Sequence, residues 1–257
     1  MLRNVRLSLP ICALCLLAPL TPGAAAEIKV LDANALTIAM KELAADFTKE
    51  TGNQVTFVGV SPGQVEQRVK AGEVYDLVIT ATESSAAFER EGRWIAGTRH
   101  PLARVGIGVA VRDGVKLDLS TVESTRKALL DAKSITYSDL GGGGLSGINA
   151  RKVVDNLGLT EAIKDKIKLA KELAGGQALI AKGDIDIGLF NLSEIPRAPG
   201  VVRAGPVPAA VEVYINYDSA VPVTNTAPDA ALALLKYFHR PASRPVWDKA
   251  GLEVVGE

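Results

Sequence analysis

Residues 54–72 read Gln-Val-Thr-Phe-Val-Gly-Val-Ser-Pro-Gly-Gln-Val-Glu-Gln-Arg-Val-Lys-Ala-Gly. The first seven alternate and are rich in β-branched side chains, which predicts a strand. Ser61-Pro62 then supplies a helix cap with proline at the first helical position, and Val65 and Val69 share one face before Ala71-Gly72 ends the element. A strand that runs straight into a capped helix is half of a βαβ unit.

The same scheme lies on both sides of it. Upstream, a strand candidate at 27–32 precedes a helix in which Leu36, Ala39, Met40, Leu43, Ala44 and Phe47 recur at three- and four-residue steps up to Thr51-Gly52. Downstream, a strand at 75–79 leads to a helix at 83–92. Strands alternating with helices at this spacing imply right-handed crossovers on a parallel sheet, with ligands bound where strands end and helices begin. The loops 33–37 and 61–64 are therefore candidate walls of a site. In them Asn34, Thr37, Ser61, Gly63 and Gln64 offer amide, hydroxyl or main-chain donors. Thr37 and Ser61 read equally well as helix caps.

The second half repeats the pattern after an extended run at 102–111 that contains Gly106 and Gly108 and suits a strand passing between lobes. A helix at 121–132 and a strand at 134–137 reach the turn 137–147, Tyr-Ser-Asp-Leu-Gly-Gly-Gly-Gly-Leu-Ser-Gly. Glycines admit close approach, and a helix starting there points free amides and its positive dipole end into the turn. Gly142, Gly143, Gly144 and Ser146 are thus candidate anion contacts. A flexible connection remains the other reading. The GxGxxG formed by Gly142, Gly144 and Gly147 lacks the setting of a dinucleotide site, and the absence of Gly-Lys-Ser/Thr excludes a nucleotide P-loop. Two further turns follow: 175–177, where two glycines open a helix at Gln177, and 191–194, where Ser193 and Glu194 follow the strand 186–191. A second extended run at 211–223 reads as the return crossing. Helices at 228–238 and 241–250 and a short run at 252–255 close the chain.

Arg3 and Arg6, an apolar run at 7–20 and Ala24-Ala25-Ala26 have the layout of a secretory signal peptide cleaved after Ala26. Both cysteines, Cys12 and Cys15, fall inside it. Removing 26 of 257 residues leaves 231, and takes two arginines and no acid, so 29 basic residues become 27 against 29 acidic. That balance points away from nucleic acid and membrane surfaces. With only His100 and His239 present, a histidine triad or histidine-rich metal centre has little material, and no metal or cofactor is expected. Trp94 and Trp247 read as packing residues. The expected architecture is α/β and two-lobed: residues 27–105 with 220–257 form lobe 1, 106–219 form lobe 2, each a mostly parallel sheet flanked by helices, with a cleft between them.

The ordered motifs resemble the periplasmic molybdate-binding protein family of ABC importers, within the type II periplasmic binding proteins. The matching pieces are Leu36-Thr37, Phe47-Thr48-Lys49-Glu50-Thr51-Gly52, Ser61-Pro62-Gly63-Gln64, Val69-Lys70-Ala71-Gly72 before Tyr75-Asp76-Leu77, the pattern 177–188 before Leu192-Ser193, and 234–251. The resemblance spans nearly all of the chain after residue 26. It implies an exported, periplasmic, monomeric protein that holds a small anion with uncharged donors and delivers it to a membrane permease. Carried over by position, it implies Asn34, Ser61 and Gly63 in lobe 1 and Gln177 and Ser193 in lobe 2. The Ala33-Asn34-Ala35 context, Ser61-Pro62-Gly63 and Ser193 depart from the family pattern, which implies a larger or differently shaped anion. The wider family includes an exported aconitate isomerase, so proton transfer in the same cleft is the alternative. Asp32, Asp139, Glu194 and Tyr214 are its candidate bases.

Overall fold

The computed structural model describes residues 25–139, 145–171, 173–197 and 199–256. Strand β1 (Glu27–Ala33) is followed by helix α1 (Thr37–Thr51), whose buried face is Ala39, Met40, Leu43, Ala44 and Phe47; Gly52 ends it at φ +80°. β2 (Gln54–Val60) leads into α2 (Pro62–Lys70), and β3 (Leu77–Ala81) into α3 (Thr82–Arg90). β1 pairs in parallel with both β2 and β3, as right-handed crossovers require.

The extended run at 102–111 is two strands. β4 (His100–Val105) and β5 (Ile107–Arg112) meet at Gly106 and belong to different sheets. A Cβ on Gly106 would lie 2.5 Å from Glu212 Oε2, so the crossing needs glycine there to let the two connecting segments approach. α4 (Val122–Asp131), the short β6 (Ile135–Thr136), α5 (Leu145–Asn156), α6 (Thr160–Ile163), α7 (Leu173–Lys182) and β7 (Ile187–Asn191) follow. A 3-10 turn (Leu192–Arg197) and β8 (Val201–Pro206) come next, then β9 (Ile215–Ala220), α8 (Pro228–His239), α9 (Arg244–Ala250) and β10 (Glu253–Val254).

The first sheet has the order β10-β4-β9-β3-β1-β2 and the second β6-β7-β5-β8. Both are mixed rather than mostly parallel: pairs inside βαβ units are parallel, while β9 runs antiparallel to β3 and β4, and β5 antiparallel to β7 and β8. Because β9 completes the first sheet, the chain has returned by Ile215, ahead of the expected boundary at 219/220. β8 was not foreseen; its Gly205-Pro206 end and the Pro199-Gly200 before it read as turn. The glycines at 175 and 176 lie within the first turn of α7 rather than ahead of it.

Each sheet has its own core. Phe47, Tyr217, Phe238 and Trp247 anchor the first, and Val109, Leu129, Val153 and Leu189 lie in the second. Trp94 and Trp247 are packing residues whose indole N–H groups donate to the Ser85 and Phe238 carbonyls at 2.9 and 3.0 Å.

Candidate functional site

A cavity of about 320 Å³ opens where β1, β2, β6 and β7 end, with walls from both sheets. From the first sheet come Ala33, Asn34 and Ala35 after β1, and Ser61 and Pro62 after β2. Gly59 leaves room for the first wall: a Cβ there would sit 2.8 Å from Asn34 Oδ1 and 2.9 Å from Thr37 Oγ1, so any other residue would push those two side chains out of place. The Asn34 main-chain N–H donates to the Val60 carbonyl at 3.0 Å.

Ser61 caps α2. Its Oγ accepts from the Gln64 N–H at 3.4 Å while the Ser61 N–H donates to Gln64 Oε1 at 3.2 Å, a capping box. Ser61 thus has both of the roles its sequence offered, helix cap and cavity wall. Thr37 instead donates its hydroxyl to the wholly buried Asp32 carboxylate and does not line the cavity.

From the second sheet come Ser138 and Asp139 after β6, Leu145 and Ser146 in the first turn of α5, Lys171 and Leu173, Asn191 at the end of β7 and Glu194 after it. Ser146 Oγ accepts from the Asn191 N–H at 3.2 Å, joining α5 to the end of β7. Among the described lining residues Lys171 is the one cation. Tyr217 of β9 also lines the cavity; burial, with the Glu194 and Asp32 carboxylates nearby, pushes its phenol well above the usual range. It therefore remains a neutral hydrogen-bond donor at physiological pH.

The remaining expected contacts lie elsewhere. Gln177 is buried and donates through Nε2 to the Glu194 carbonyl at 2.8 Å, holding the 3-10 turn against α7. Ser193 is buried beside it, with an unpartnered Oγ, and does not line this cavity. Gly63 lines a neighbouring cavity of about 390 Å³ and Gln64 is exposed. Tyr214 faces away: its hydroxyl donates to Glu253 Oε1 at 3.1 Å and Arg104 stacks 4.0 Å from its ring centre. Gly142, Gly143 and Gly144 lie outside the described residues. Of the candidate bases, Asp139 and Glu194 line the cavity.

Sequence reasoning missed Tyr217, Lys171 and Asn191. The turn at 191–194 was legible, but its first residue was passed over for Ser193. Among the described residues no group of three or more His, Cys, Asp or Glu side chains is placed to hold a metal ion, and no helix is long and apolar enough to cross a membrane.

A profile of the bacterial extracellular solute-binding proteins matches residues 28–253. The chain belongs to that family. Among curated proteins it is 26% identical to an aconitate isomerase of Pseudomonas sp., over 93% of this chain and 94% of that protein. It is 27% identical to the molybdate-binding protein ModA of Azotobacter vinelandii, over 86% and 88% of the two chains. Among solved structures, the substrate-binding domain of a putative molybdenum ABC transporter from Clostridium difficile superposes with a TM-score of 0.76 at 20% identity, covering 90% of this chain and all of that one. The Azotobacter vinelandii periplasmic molybdate-binding protein gives 0.71 at 22% identity, covering 90% and 99%. This solute-binding protein has the two-lobed type II periplasmic-binding-protein fold.

Proposed function

We propose that this exported solute-binding protein captures a small anion, an oxyanion or a carboxylate, between its two lobes and delivers it to the permease of an ABC importer. The observation that carries this reading is the cavity at the strand ends. Asn34, Ser61, Ser138, Ser146 and Tyr217 supply uncharged donors from both sheets, and Lys171 supplies one positive charge. Neutral donors fixed by secondary structure can replace an anion's hydration shell without a full counter-charge. The likeness to molybdate-binding proteins supports the same class of ligand. A melting-temperature screen against oxyanions and carboxylates, followed by calorimetry, tests it. A ligand should raise the melting temperature and bind with one-to-one stoichiometry; no stabilisation by any anion would end the reading.

The match to aconitate isomerase over nearly the whole chain favours a second reading. Asp139 and Glu194 stand in the same cavity as the protonated phenol of Tyr217. One carboxylate would take a proton from a carbon of the tricarboxylate and return it to the other end of the allylic system, moving the double bond without net loss of atoms. Incubation with cis-aconitate in deuterated water should then give the trans isomer and carbon-bound deuterium. An unchanged, unlabelled substrate would exclude it.

A further inference from the structure

The cavity presents acceptors as well as donors, and a bare oxyanion uses only the donors. Asn191 ends β7 and is 3% exposed. Its main-chain N–H is occupied by Ser146 Oγ, whereas its side-chain Oδ1 has no hydrogen-bond partner. A buried amide oxygen left unpaired is rare and destabilising, and its missing donor belongs to whatever occupies the adjoining space. A fully deprotonated tetrahedral oxyanion brings no donor. The carboxylates of Asp139 and Glu194 also line the cavity, and as acceptors they are better matched by a ligand that brings a hydrogen to donate than by a compact, fully deprotonated oxyanion.

We infer that the ligand is a hydroxycarboxylate, its carboxylate met by Lys171 and the neutral donors and its hydroxyl donating to the Asn191 side-chain oxygen. This rests on the anion-binding reading of the cavity and adds that Asn191 sets specificity. A site built around a ligand hydroxyl discriminates sharply against the analogue lacking it, because the site's own polar group is then left unpaired.

Calorimetric titration of the full chain with matched pairs decides it: L-malate against succinate, and citrate against tricarballylate, with molybdate and sulfate as references. In at least one pair the hydroxylated member should bind roughly tenfold or more tightly than its deoxy partner. Asn191→Leu, which removes the amide oxygen, should bring that ratio close to one. Equal affinities within both pairs, or tighter binding of molybdate or sulfate than of either hydroxy acid, would overturn the hydroxycarboxylate assignment and leave the anion site standing. No binding by any of the six probes would remove both. The wild-type ratios decide the matter even where the leucine variant does not fold.

Discussion

Ser61 caps a helix through its hydroxyl and lines a cavity, so removing that hydroxyl has two separable consequences. Ser61→Ala deletes half of the capping box that closes α2; helix caps of this kind contribute about 1 kcal/mol. Chemical denaturation should show that loss without ligand, and calorimetry a further drop in affinity for whichever anion binds. Full stability with unchanged affinity would remove Ser61 from both roles. Tyr217 tests the cavity alone. Its ring is part of the first core and the residue also lines the cavity, with a phenol kept protonated by burial and the nearby carboxylates. Tyr217→Phe should preserve the fold and weaken ligand by roughly three- to tenfold, the usual worth of one neutral hydrogen bond. Unchanged affinity would show that the phenol makes no ligand contact.

At the level of elements, the two connections between the sheets converge on one side chain. Glu212 Oε1 accepts from the Ile107 N–H at 2.8 Å, just past the first crossing, and from the Val213 N–H at 2.9 Å in the second. Burial, aided by Glu253, pushes this carboxyl up to about 7, against the downward pull of those two N–H groups. Glu253 is itself paired with Arg104 and receives the Tyr214 hydroxyl. The folded protein therefore holds a proton that the unfolded chain releases near the ordinary glutamate value. Stability from this group is present below that value, declines as pH rises toward about 7, and is level above it. Glu212→Gln keeps an acceptor but cannot ionise. It should melt with the wild type at pH 5 and several degrees above it at pH 8, read by calorimetric scans; a lower melting temperature at pH 8 would mean that the ionised form holds the hinge together. Gly106→Ala belongs to the same junction. Its methyl would enter at 2.5 Å from Glu212 Oε2, and overpacking of that kind costs about 1–3 kcal/mol. Combining it with Glu212→Ala should recover part of the loss, whereas simple additivity would place the strain elsewhere. The junction was partly legible in the sequence, because two glycines inside an apolar run signal a close backbone approach. The strand ends were legible for a similar reason: Ser61 and Asn34 follow short alternating runs, and the end of such a run is where a parallel sheet binds. Tyr217 was not, since an apolar-face tyrosine on β9 reads as a core residue, and Tyr217 does lie in the first core while also lining the cavity. Lys171 reaches the cavity from an irregular segment between α6 and α7, where no periodicity exists to read.

For the whole molecule, the junction and the cavity together define a motion. The sheets have separate cores, and among the described residues the continuous backbone links between them are Gly106 and the segment ahead of β9. Ties such as the Arg203 guanidinium, which donates to the Ala250 carbonyl at 3.2 Å, connect β8 to the end of α9 away from the strand-end cavity. Rotation about so narrow a junction changes a few backbone torsions and leaves both cores intact, which is the hinge mode of domain closure. A ligand touching Asn34 and Ser61 on one side and Ser146 and Asn191 on the other gains contacts only as the walls approach, so its binding energy favours the closed form. Small-angle scattering at saturating ligand should therefore show a smaller radius of gyration than the free protein. The same ligand at about 100 times its dissociation constant should add about 2.7 kcal/mol of stability. Tight binding with an unchanged scattering curve would require a site already closed in the free protein. Gly106 and Glu212 would then be fixed structural links, and selection among anions would rest on cavity shape and hydrogen-bond pairing alone.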